Sequence, residues 1–457
     1  MYRVFYNRKL YGDELRIVFI DNLKSNREIN NDNVIGLYYN SELLELRITD
    51  FSKIARIYIE GEIEELPTPL FNLINHILVN ANFIPLEERK TMELEIKAKE
   101  AHKISRLTNR TFKFDPRLKE GFFAANYFLK SHKIVSEQLP NHIVTMQWFQ
   151  RTDDAMLCGI DEAIALIHTF ANHPENLLVE ALNDGDLISA KEPVLKVTGK
   201  YEDFGFLESM IDGILARRSS VATNVYRVMK VLNGKDIFSM ADRQDEYNTQ
   251  IGDGYATYVA GIRKVSTDAQ GLWWGGRGVG TMPHALIQIC GGDILKASDL
   301  YRKSFPGEPV TALIDYNNDV ITDSLKLAKH LGKNLKAVRV DTSIALIDHY
   351  FDDKDTSGFD PHGVCKELIF ALREALDKNG FNYVKIIVSS SFTAEKIKEW
   401  VKLNVPVDTY GVGTAFVNNM TVGFTGDLVM LDGKDEAKEG RYNIVSKRLK
   451  KVSYPIY

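Results

Sequence analysis

The sequence predicts an α/β protein with a small, mostly-β segment at its N-terminus, and three observations lead to this fold class. First, the C-terminal third alternates short apolar runs with amphipathic stretches, a pattern typical of parallel strands connected by helices. Second, residues 111–235 mix long amphipathic helical stretches with β-type runs. Third, residues 2–60 contain five short segments rich in Tyr, Ile and Val that are separated by polar turns.

The composition is that of a globular protein and disfavours several function classes. The chain has 457 residues, 44% hydrophobic and 26% charged, which is enough for two or three domains. A net charge of −5 attracts neither nucleic acid nor anionic membranes, so phosphate binding would need a local cluster. Three widely spaced cysteines predict neither a disulfide framework nor a zinc site. The cysteine usage indicates a reducing cytoplasm, and because no uninterrupted apolar stretch of about 18 residues occurs, we expect no membrane span.

Changes in composition and hydrophobic pattern along the chain predict four segments. Residues 1–85 form a small, mostly-β module of unknown role. A charged helical connector follows over residues 86–110, with Glu and Lys at i,i+3 and i,i+4 spacing. Residues 111–235 and 420–457 are expected to form a mixed α/β domain. Residues 236–419 are expected to form the α/β domain that carries the active site.

Polar clusters follow four of the β-type runs in the C-terminal third. Because the carboxyl ends of parallel strands meet at one edge of a sheet or one end of a barrel, these clusters should face one pocket. The clusters are Asp315, then Arg339 and Asp341, then Ser389 to Ser391, and finally Gly411 to Thr414.

Two of these clusters favour a phosphate ligand. The serine run before a helix start and the Gly411–Thr414 turn both offer hydroxyls and free backbone N–H groups. Either motif alone is more typical of a tight turn or a helix cap, but two at consecutive strand ends favour phosphate. Arg339 and Asp341 alternate along one strand and share a face. They could hold a ribose with its charged substituent, or form a structural ion pair lining the barrel.

His284 stands in the stretch GRGVGTMPHALI, three residues after Thr281 and at the start of an apolar run. In a pocket that binds phosphates, a neutral imidazole can act as an acid, a base or a phosphoryl acceptor. The alternative is a core histidine that only packs. The spacing alone does not decide between the two.

Five segments of the C-terminal half resemble, in order and spacing, the nicotinate phosphoribosyltransferase family. They are GVGTMPHALI, ALIDYNND, AVRVDTS, IIVSSSFTAEKI and VDTYGVGT. Upstream segments such as NYFLKSHKI and DAQGLWWGG extend the resemblance to about residues 111–445. The resemblance implies a type II phosphoribosyltransferase fold, which combines a mixed α/β domain with an irregular α/β barrel of fewer than eight regular strands.

The resemblance also implies an activity. The family joins nicotinate to 5-phosphoribosyl 1-diphosphate and releases nicotinate mononucleotide and diphosphate, in the entry step of NAD salvage. ATP hydrolysis drives the reaction through a phosphohistidine, and His284 matches that histidine. The implied co-substrate is therefore ATP and the implied cofactor is Mg²⁺, with unknown ligands. The implied class is an ATP-dependent ligase, assembled as a homodimer or higher oligomer with shared active sites.

Individual roles follow from the same resemblance. Arg339 would contact phosphate and Asp341 the ribose or the metal, so both join His284 as catalytic candidates. Tyr127 matches the family's aromatic residue that stacks on the pyridine ring from the neighbouring subunit. The other implied substrate-binding residues are Arg243 for the nicotinate carboxylate, Thr281, and, for the 5′-phosphate, Ser390, Ser391, Gly411, Gly413 and Thr414.

The chain departs from the family pattern at three motifs. It has MADRQ where many members have FGxRR, RVDTS where they have R-x-D-S-G, and SSS where they have S-G-D or S-G-G. Ser343 and Ser390 thereby replace glycines. A side chain occupies the space in which a phosphate would approach the backbone.

Three alternatives stay open. Arg243 can form a surface ion pair with Asp242 or Asp245 instead of binding substrate. The pyridine substrate can be nicotinamide, whose amide favours an Asp partner, or quinolinate, whose second carboxylate needs an extra Arg or Lys. A nucleic-acid-binding protein with a degenerate barrel is a third possibility, which is disfavoured because residues 1–60 contain no basic stripe.

Overall fold

The chain divides into two compact units, Met1–Ile104 and Ser105–Tyr457. The computed structural model describes residues 86–453 and, N-terminal to them, the strands of one sheet. Within this described part, no helix is long and apolar enough to cross a membrane.

The first unit contains a five-stranded sheet of order β4-β3-β2-β1-β5. Neighbouring strands are antiparallel except β1 and β5, which are parallel. The strands coincide with the five β-type segments predicted from the sequence, and helix α1 lies in the predicted charged connector. The elements are β1 (Tyr2–Tyr6), β2 (Leu15–Phe19), β3 (Val34–Asn40), β4 (Leu43–Leu46), β5 (Ile57–Ile59) and α1 (Leu86–Glu100).

A six-stranded sheet of order β17-β16-β6-β10-β8-β18 lies over a large apolar core of the second unit. The strand β6 is buried along nearly its whole length, and Trp148 on it is fully buried. The sheet joins residues 143–200 to residues 424–451, while the exact domain bounds stay predictions. The strands are β6 (Ile143–Gln150), β8 (Leu178–Ala181), β10 (Leu195–Lys200), β16 (Phe424–Leu431), β17 (Lys434–Asp435) and β18 (Lys450–Lys451), with β7 (Ala155–Met156) pairing β9 (Leu187–Ile188) beside them.

A parallel sheet of order β11-β15-β14-β13-β12 forms the rest of the second unit. Single-residue parallel bridges from Ser239 to Val265 and from Val265 to Gly278 continue it beyond β11. These observations confirm the α/β fold class. Among the described residues, the parallel strands form a five-stranded sheet that is extended by single-residue bridges and is not a regular barrel. The strands are β11 (Asp236–Ser239), β12 (Val310–Leu313), β13 (Leu335–Val340), β14 (Lys385–Val388) and β15 (Thr409–Val412).

The long helix α5 reaches from the antiparallel sheet to the parallel one. Its 24 residues span about 36 Å at 1.5 Å per residue. Arg217 on this helix binds both carboxylate oxygens of Asp253 at 2.9 and 2.6 Å, which fixes α5 against α6. The helices of the second unit are α2 (Asn126–Gln138), α3 (Ile160–Phe170), α4 (Tyr201–Phe204), α5 (Glu208–Val231), α6 (Gln250–Val259), α7 (Asp268–Gly271), α8 (His284–Ile289), α9 (Ile294–Ser304), α10 (Val320–Leu331), α11 (Lys366–Lys378), α12 (Ala394–Lys402) and α13 (Thr414–Val417).

Candidate active site

A cleft of about 1050 Å³ opens at the carboxyl edge of the parallel sheet. The ends of β13, β14 and β15 line it, together with the loop before α8 and the C-terminal half of α5. The polar clusters predicted at the ends of β13, β14 and β15 therefore face one pocket, whereas the fourth, Asp315 after β12, reaches the pocket only through its contact with His284. The sequence-predicted residues in its lining are Arg243, Thr281, His284, Arg339, Asp341, Ser390, Ser391, Gly411, Gly413 and Thr414.

A guanidinium and a carboxylate lie side by side at the end of β13. The Arg339 Nη2 atom is 3.4 Å from Asp341 Oδ2, and Nη1 donates to Thr281 Oγ1 at 2.8 Å. Ser389 Oγ donates to the other oxygen of Asp341 at 2.7 Å. Burial lowers the pKa of Arg339, although the Asp341 carboxylate opposes this shift. The pair is thus held by neighbouring hydroxyls with both groups facing the cleft.

His284 is the first residue of α8, and it pairs with an aspartate from the end of β12. Its Nε2 atom lies 3.0 Å from Asp315 Oδ2. The imidazole is 47% exposed whereas the Asp315 side chain is only 7% exposed, so His284 is not a core packing residue. Burial raises the pKa of Asp315, and the adjacent imidazole opposes this rise. With Nε2 turned to the carboxylate, Nδ1 is the ring nitrogen left for a reaction partner.

Two residues of the serine run after β14, including Ser390 at a family glycine position, adopt the backbone conformation that glycine favours. Ser390 has φ 80° and Ser391 has φ 57°, both in the left-handed region. This conformation costs a residue with a side chain roughly 1–2 kcal/mol. Backbone strain of this kind is concentrated at functional sites, where the surrounding structure over-determines it. The chain therefore keeps the turn, although two hydroxymethyl groups now border the cleft.

The next strand end needs glycine for a steric reason. A Cβ atom on Gly413 would lie 2.5 Å from the backbone oxygen of Met240, so this position excludes any side chain. Thr414 follows at the start of α13, and its hydroxyl donates to Gln244 Oε1 at 2.7 Å. The close approach of β11 and β15 thus shapes the floor of the cleft.

Arg243 is exposed at the rim of the cleft. The alternative partner Asp245 pairs instead with Arg217 Nη2 at 2.9 Å. Among the residues that the structure describes, neither Asp242 nor Asp245 forms an ion pair with Arg243. Its guanidinium is therefore available to an anionic ligand.

Four further residues complete the lining or its support, and the sequence-based selection left them out. Asp315 and Ser389 stand in the predicted strand-end clusters, so that signal was sufficient to find them. Gln244 follows Arg243 and holds Thr414. Arg227 has no motif around it, and only the packing of α5 beside the parallel sheet brings it to the cleft.

Tyr127 is the one predicted site residue that does not line the cleft of its own chain. It is 64% exposed on α2, and the centroid of its ring lies 4.3 Å from that of Phe128. The Ala125 backbone N–H donates to Ser209 Oγ at 3.4 Å, which places the start of α2 beside the start of α5. The first cleft residue on α5, Asn224, is 15 positions beyond Ser209, or about 22 Å.

Sequence comparisons relate the chain to quinolinate and nicotinate phosphoribosyltransferases. Residues 127–219 match the family described as quinolinate phosphoribosyl transferase, N-terminal domain. A nicotinate phosphoribosyltransferase of Mycobacterium tuberculosis is 25% identical over 275 residues, which are 58% of this chain and 56% of that protein. The nicotinate phosphoribosyltransferase of Bacillus subtilis is 21% identical over 243 residues, 52% of this chain and 45% of that protein. The chain thus spans about half the length of the curated relatives it matches.

Solved structures show the same relationship. The nicotinate-nucleotide pyrophosphorylase of Pyrococcus furiosus is 30% identical with a TM-score of 0.63, covering 72% of this chain and 81% of that one. Human nicotinic acid phosphoribosyltransferase, at 16% identity and a TM-score of 0.54, covers 70% of this chain and 77% of its own and shows the shared fold. The chain belongs to the nicotinate phosphoribosyltransferase family and has the type II phosphoribosyltransferase fold.

Proposed function

We propose that the chain is a nicotinate phosphoribosyltransferase that acts in NAD salvage and couples its reaction to ATP hydrolysis through His284. One observation carries this proposal: two pairs of oppositely charged or hydrogen-bonded side chains lie at the same cleft. His284 contacts Asp315, and Arg339 contacts Asp341. A transferase needs the second pair for its phosphorylated substrate. An exposed histidine backed by a buried carboxylate adds a candidate phosphoryl acceptor beside it.

The phosphoribosyl transfer would use the cleft residues as follows. Arg243 pairs with the nicotinate carboxylate and directs the pyridine nitrogen to C1′ of the ribose. The nitrogen forms a bond to C1′ while the bond from C1′ to the diphosphate oxygen breaks, and the electron pair leaves with the diphosphate. Arg339 stabilises negative charge on phosphate, and the neighbouring Asp341 accepts hydrogen bonds from ribose hydroxyls.

The ATP-dependent half-reaction would use His284. Its Nδ1 attacks the γ-phosphorus of ATP, the bond to the bridging oxygen breaks, and ADP leaves. Asp315 accepts the hydrogen bond from Nε2–H, which orients the ring and stabilises its positive charge. Water later cleaves the P–N bond and releases inorganic phosphate.

The cleft also fits the implied Mg²⁺. Asp315 Oδ1 is buried without a hydrogen-bond partner among the described residues, and Asp341, which lines the cleft, lies close enough to contribute to the raised pKa of Asp315. Mg²⁺ is typically bound by one or two carboxylates plus substrate phosphates, so these two aspartates would hold it. When bound, the ion would neutralise charge on the diphosphate.

A dimer would supply the residue that the cleft lacks. Tyr127 is exposed near the start of α2, which lies beside the start of α5, and the first cleft residue on α5 is about 22 Å further along that helix. A two-fold assembly can bring the same residue to the partner's cleft. We therefore infer shared active sites in a homodimer or higher oligomer.

The direct test is to incubate the purified protein with 5-phosphoribosyl 1-diphosphate, Mg²⁺ and one pyridine, with and without ATP. We expect nicotinate mononucleotide from nicotinate, release of inorganic phosphate from ATP, and little product from nicotinamide. Quinolinate is the second candidate because residues 127–219 match a quinolinate phosphoribosyl transferase domain. Carbon dioxide release from quinolinate without any ATP requirement would favour it and remove the proposed role of His284.

A further inference from the structure

Arg227 is a cation of the cleft that no sequence motif indicates. It projects from α5, and Asn224 one turn earlier lines the same cleft while its Nδ2 atom donates to the backbone oxygens of Phe416 and Asn419. This face of α5 therefore packs against the segment that follows Gly413 and Thr414. The side chain of Arg227 is exposed, and within the described range of the chain it has no carboxylate within 4.0 Å.

The same end of the cleft carries a carboxylate, Glu395. Glu395 lies in the first turn of α12, which packs against α5, and it lines the cleft. Its own backbone N–H and the Thr393 hydroxyl lower its pKa, and the charge of Arg227 adds to this effect. The residues predicted to hold the 5′-phosphate, such as Ser391 and Thr414, are all neutral. A phosphate dianion bound there would therefore face the Glu395 carboxylate unless a cation were present.

We propose that Arg227 binds the 5′-phosphate of the ribosyl substrate, completing a subsite whose other members are the turn at Ser390 and Ser391 and the turn from Gly411 to Thr414. The inference rests on the proposed function in one respect, which is that the substrate carrying this phosphate is 5-phosphoribosyl 1-diphosphate. A guanidinium suits this role because it is always charged and can give two parallel hydrogen bonds to phosphate oxygens.

The test measures binding by calorimetry with four separate probes: 5-phosphoribosyl 1-diphosphate, ribose 5-phosphate, inorganic diphosphate and nicotinate. The variant is Arg227→Gln. The matched control is Lys230→Gln, which removes a charge one turn further along α5, where Lys230 pairs with Asp154 at 2.9 Å outside the cleft. Thermal unfolding of both variants verifies that the fold is retained.

We expect Arg227→Gln to weaken ribose 5-phosphate and 5-phosphoribosyl 1-diphosphate by the same factor, about tenfold to a hundredfold. Inorganic diphosphate and nicotinate should bind as they do to the Lys230→Gln control. Losing diphosphate but not ribose 5-phosphate would assign Arg227 to the leaving group and overturn the inference. A selective loss of nicotinate would assign Arg227 to the pyridine carboxylate and overturn it as well.

A second variant separates direct binding from simple charge balance. If Arg227 only offsets Glu395, the double variant Arg227→Gln/Glu395→Gln should bind ribose 5-phosphate as tightly as the wild-type chain, and the inference fails. Failure of the proposed function gives another result, in which ribose 5-phosphate binding depends on Arg227 although nicotinate is not converted. A wild-type chain that binds neither ribose 5-phosphate nor 5-phosphoribosyl 1-diphosphate overturns the inference directly.

Discussion

The two ends of helix α5 place charged residues in opposite environments. At its N-terminal end, Glu208 and Asp212 are largely buried near Asp427, and burial raises the pKa of Glu208 to about 8 and of Asp212 to about 6. At its C-terminal end, Asn224 and Arg227 border an open cleft whose arginines face solvent or an opposite charge. Burial at the first end favours the uncharged form of both carboxyl groups, whereas the second end presents guanidinium groups to the cleft.

We therefore expect residues at the N-terminal end of α5 to affect stability and residues at its C-terminal end to affect activity. Carboxyl groups that are neutral in the folded chain and ionised in the unfolded chain make stability depend on pH. Guanidinium and imidazole groups at the cleft are poised for an anionic ligand, so they should affect rates and affinities. Variants at the cleft should therefore change activity at nearly constant stability, and variants at the buried acids should do the reverse.

The largest expected effect at the cleft follows His284→Ala. ATP hydrolysis should fall by a factor on the order of 10³ or more, because the variant has no phosphoryl acceptor. Some ATP-independent nucleotide formation should persist, and the melting temperature should stay unchanged. Release of inorganic phosphate from ATP measures the first effect.

The matched control is His330→Ala. His330 pairs with Asp299 at 2.9 Å on the surface, so it reproduces a histidine–aspartate contact away from the cleft. It should retain full ATP hydrolysis. Undiminished ATP hydrolysis in His284→Ala would remove His284 from the phosphoryl-transfer role.

Tyr127 is an exception to this contrast. It lies near the N-terminal end of α5, on α2, and is still expected to affect catalysis. Tyr127→Ala and Arg339→Ala should each be nearly inactive. If pockets are shared, refolding the two together gives heterodimers with one doubly altered pocket and one intact pocket. Because random mixing makes half of the dimers mixed, activity should return to about one quarter of wild type.

Subunit exchange in this experiment is verified by mass spectrometry. A mixture that exchanges subunits but is no more active than its parents would mean that each pocket is built within one chain. Tyr127 would then have no role in stacking on the pyridine ring.

Arg243 should have a smaller and more selective effect. A charge-assisted hydrogen bond to a partly desolvated carboxylate contributes about 1.5–3 kcal/mol, so Arg243→Ala should raise the KM for nicotinate by one to two decades. Any slow reaction with nicotinamide should change little. Arg302→Ala, on the exposed face of α9, is the control for loss of an arginine. Equal changes for both pyridines would show that Arg243 has a structural role.

The strand ends of the cleft were predictable because the pattern of parallel strands is local in sequence. An apolar run followed by Asp, Arg-x-Asp, Ser or Gly indicates a polar carboxyl end, and topology alone brings such ends together. Arg339, Asp341 and the turns at Ser390 and Gly413 were found in this way. The positive φ of Ser390 could not be read from its residue type, because serine ordinarily avoids that region.

The residues on α5 were not predictable by the same argument. The spacing of apolar residues in a helix predicts which face packs against a core. It gives no information about Arg227, which is a charged residue on the exposed side of α5. Its position in the cleft depends on how α5 packs against α12 and α13, which is a tertiary property. The same holds for Glu208, which is covered by β16 at Gly426, where an added Cβ would lie 3.1 Å from Glu208 Cγ.

The smallest expected effect tests the other end of the helix. Glu208 binds a proton in the folded chain up to a pKa of about 8, whereas an ordinary glutamate releases it near 4.5. Because the folded state holds the proton more tightly, the free energy of unfolding should fall as the pH rises between these two values. Each unit of pKa difference corresponds to about 1.4 kcal/mol, so a loss on the order of a few kcal/mol between pH 5 and pH 9 is measurable.

Glu208→Gln should flatten this dependence, because the amide resembles the protonated carboxyl in shape and has no charge to desolvate. Urea unfolding at pH 5 and pH 9 measures the slope, and Glu137→Gln, an exposed acid on α2 that lies 3.8 Å from Lys133, should leave it unchanged. Binding of ribose 5-phosphate at a single pH should be the same in Glu208→Gln and the wild-type chain, since this group lies at the far end of α5. A variant that keeps the wild-type slope would show that Glu208 is ionised in the folded chain. The N-terminal end of α5 would then hold its charges as the cleft does, and the contrast between the two ends would be lost.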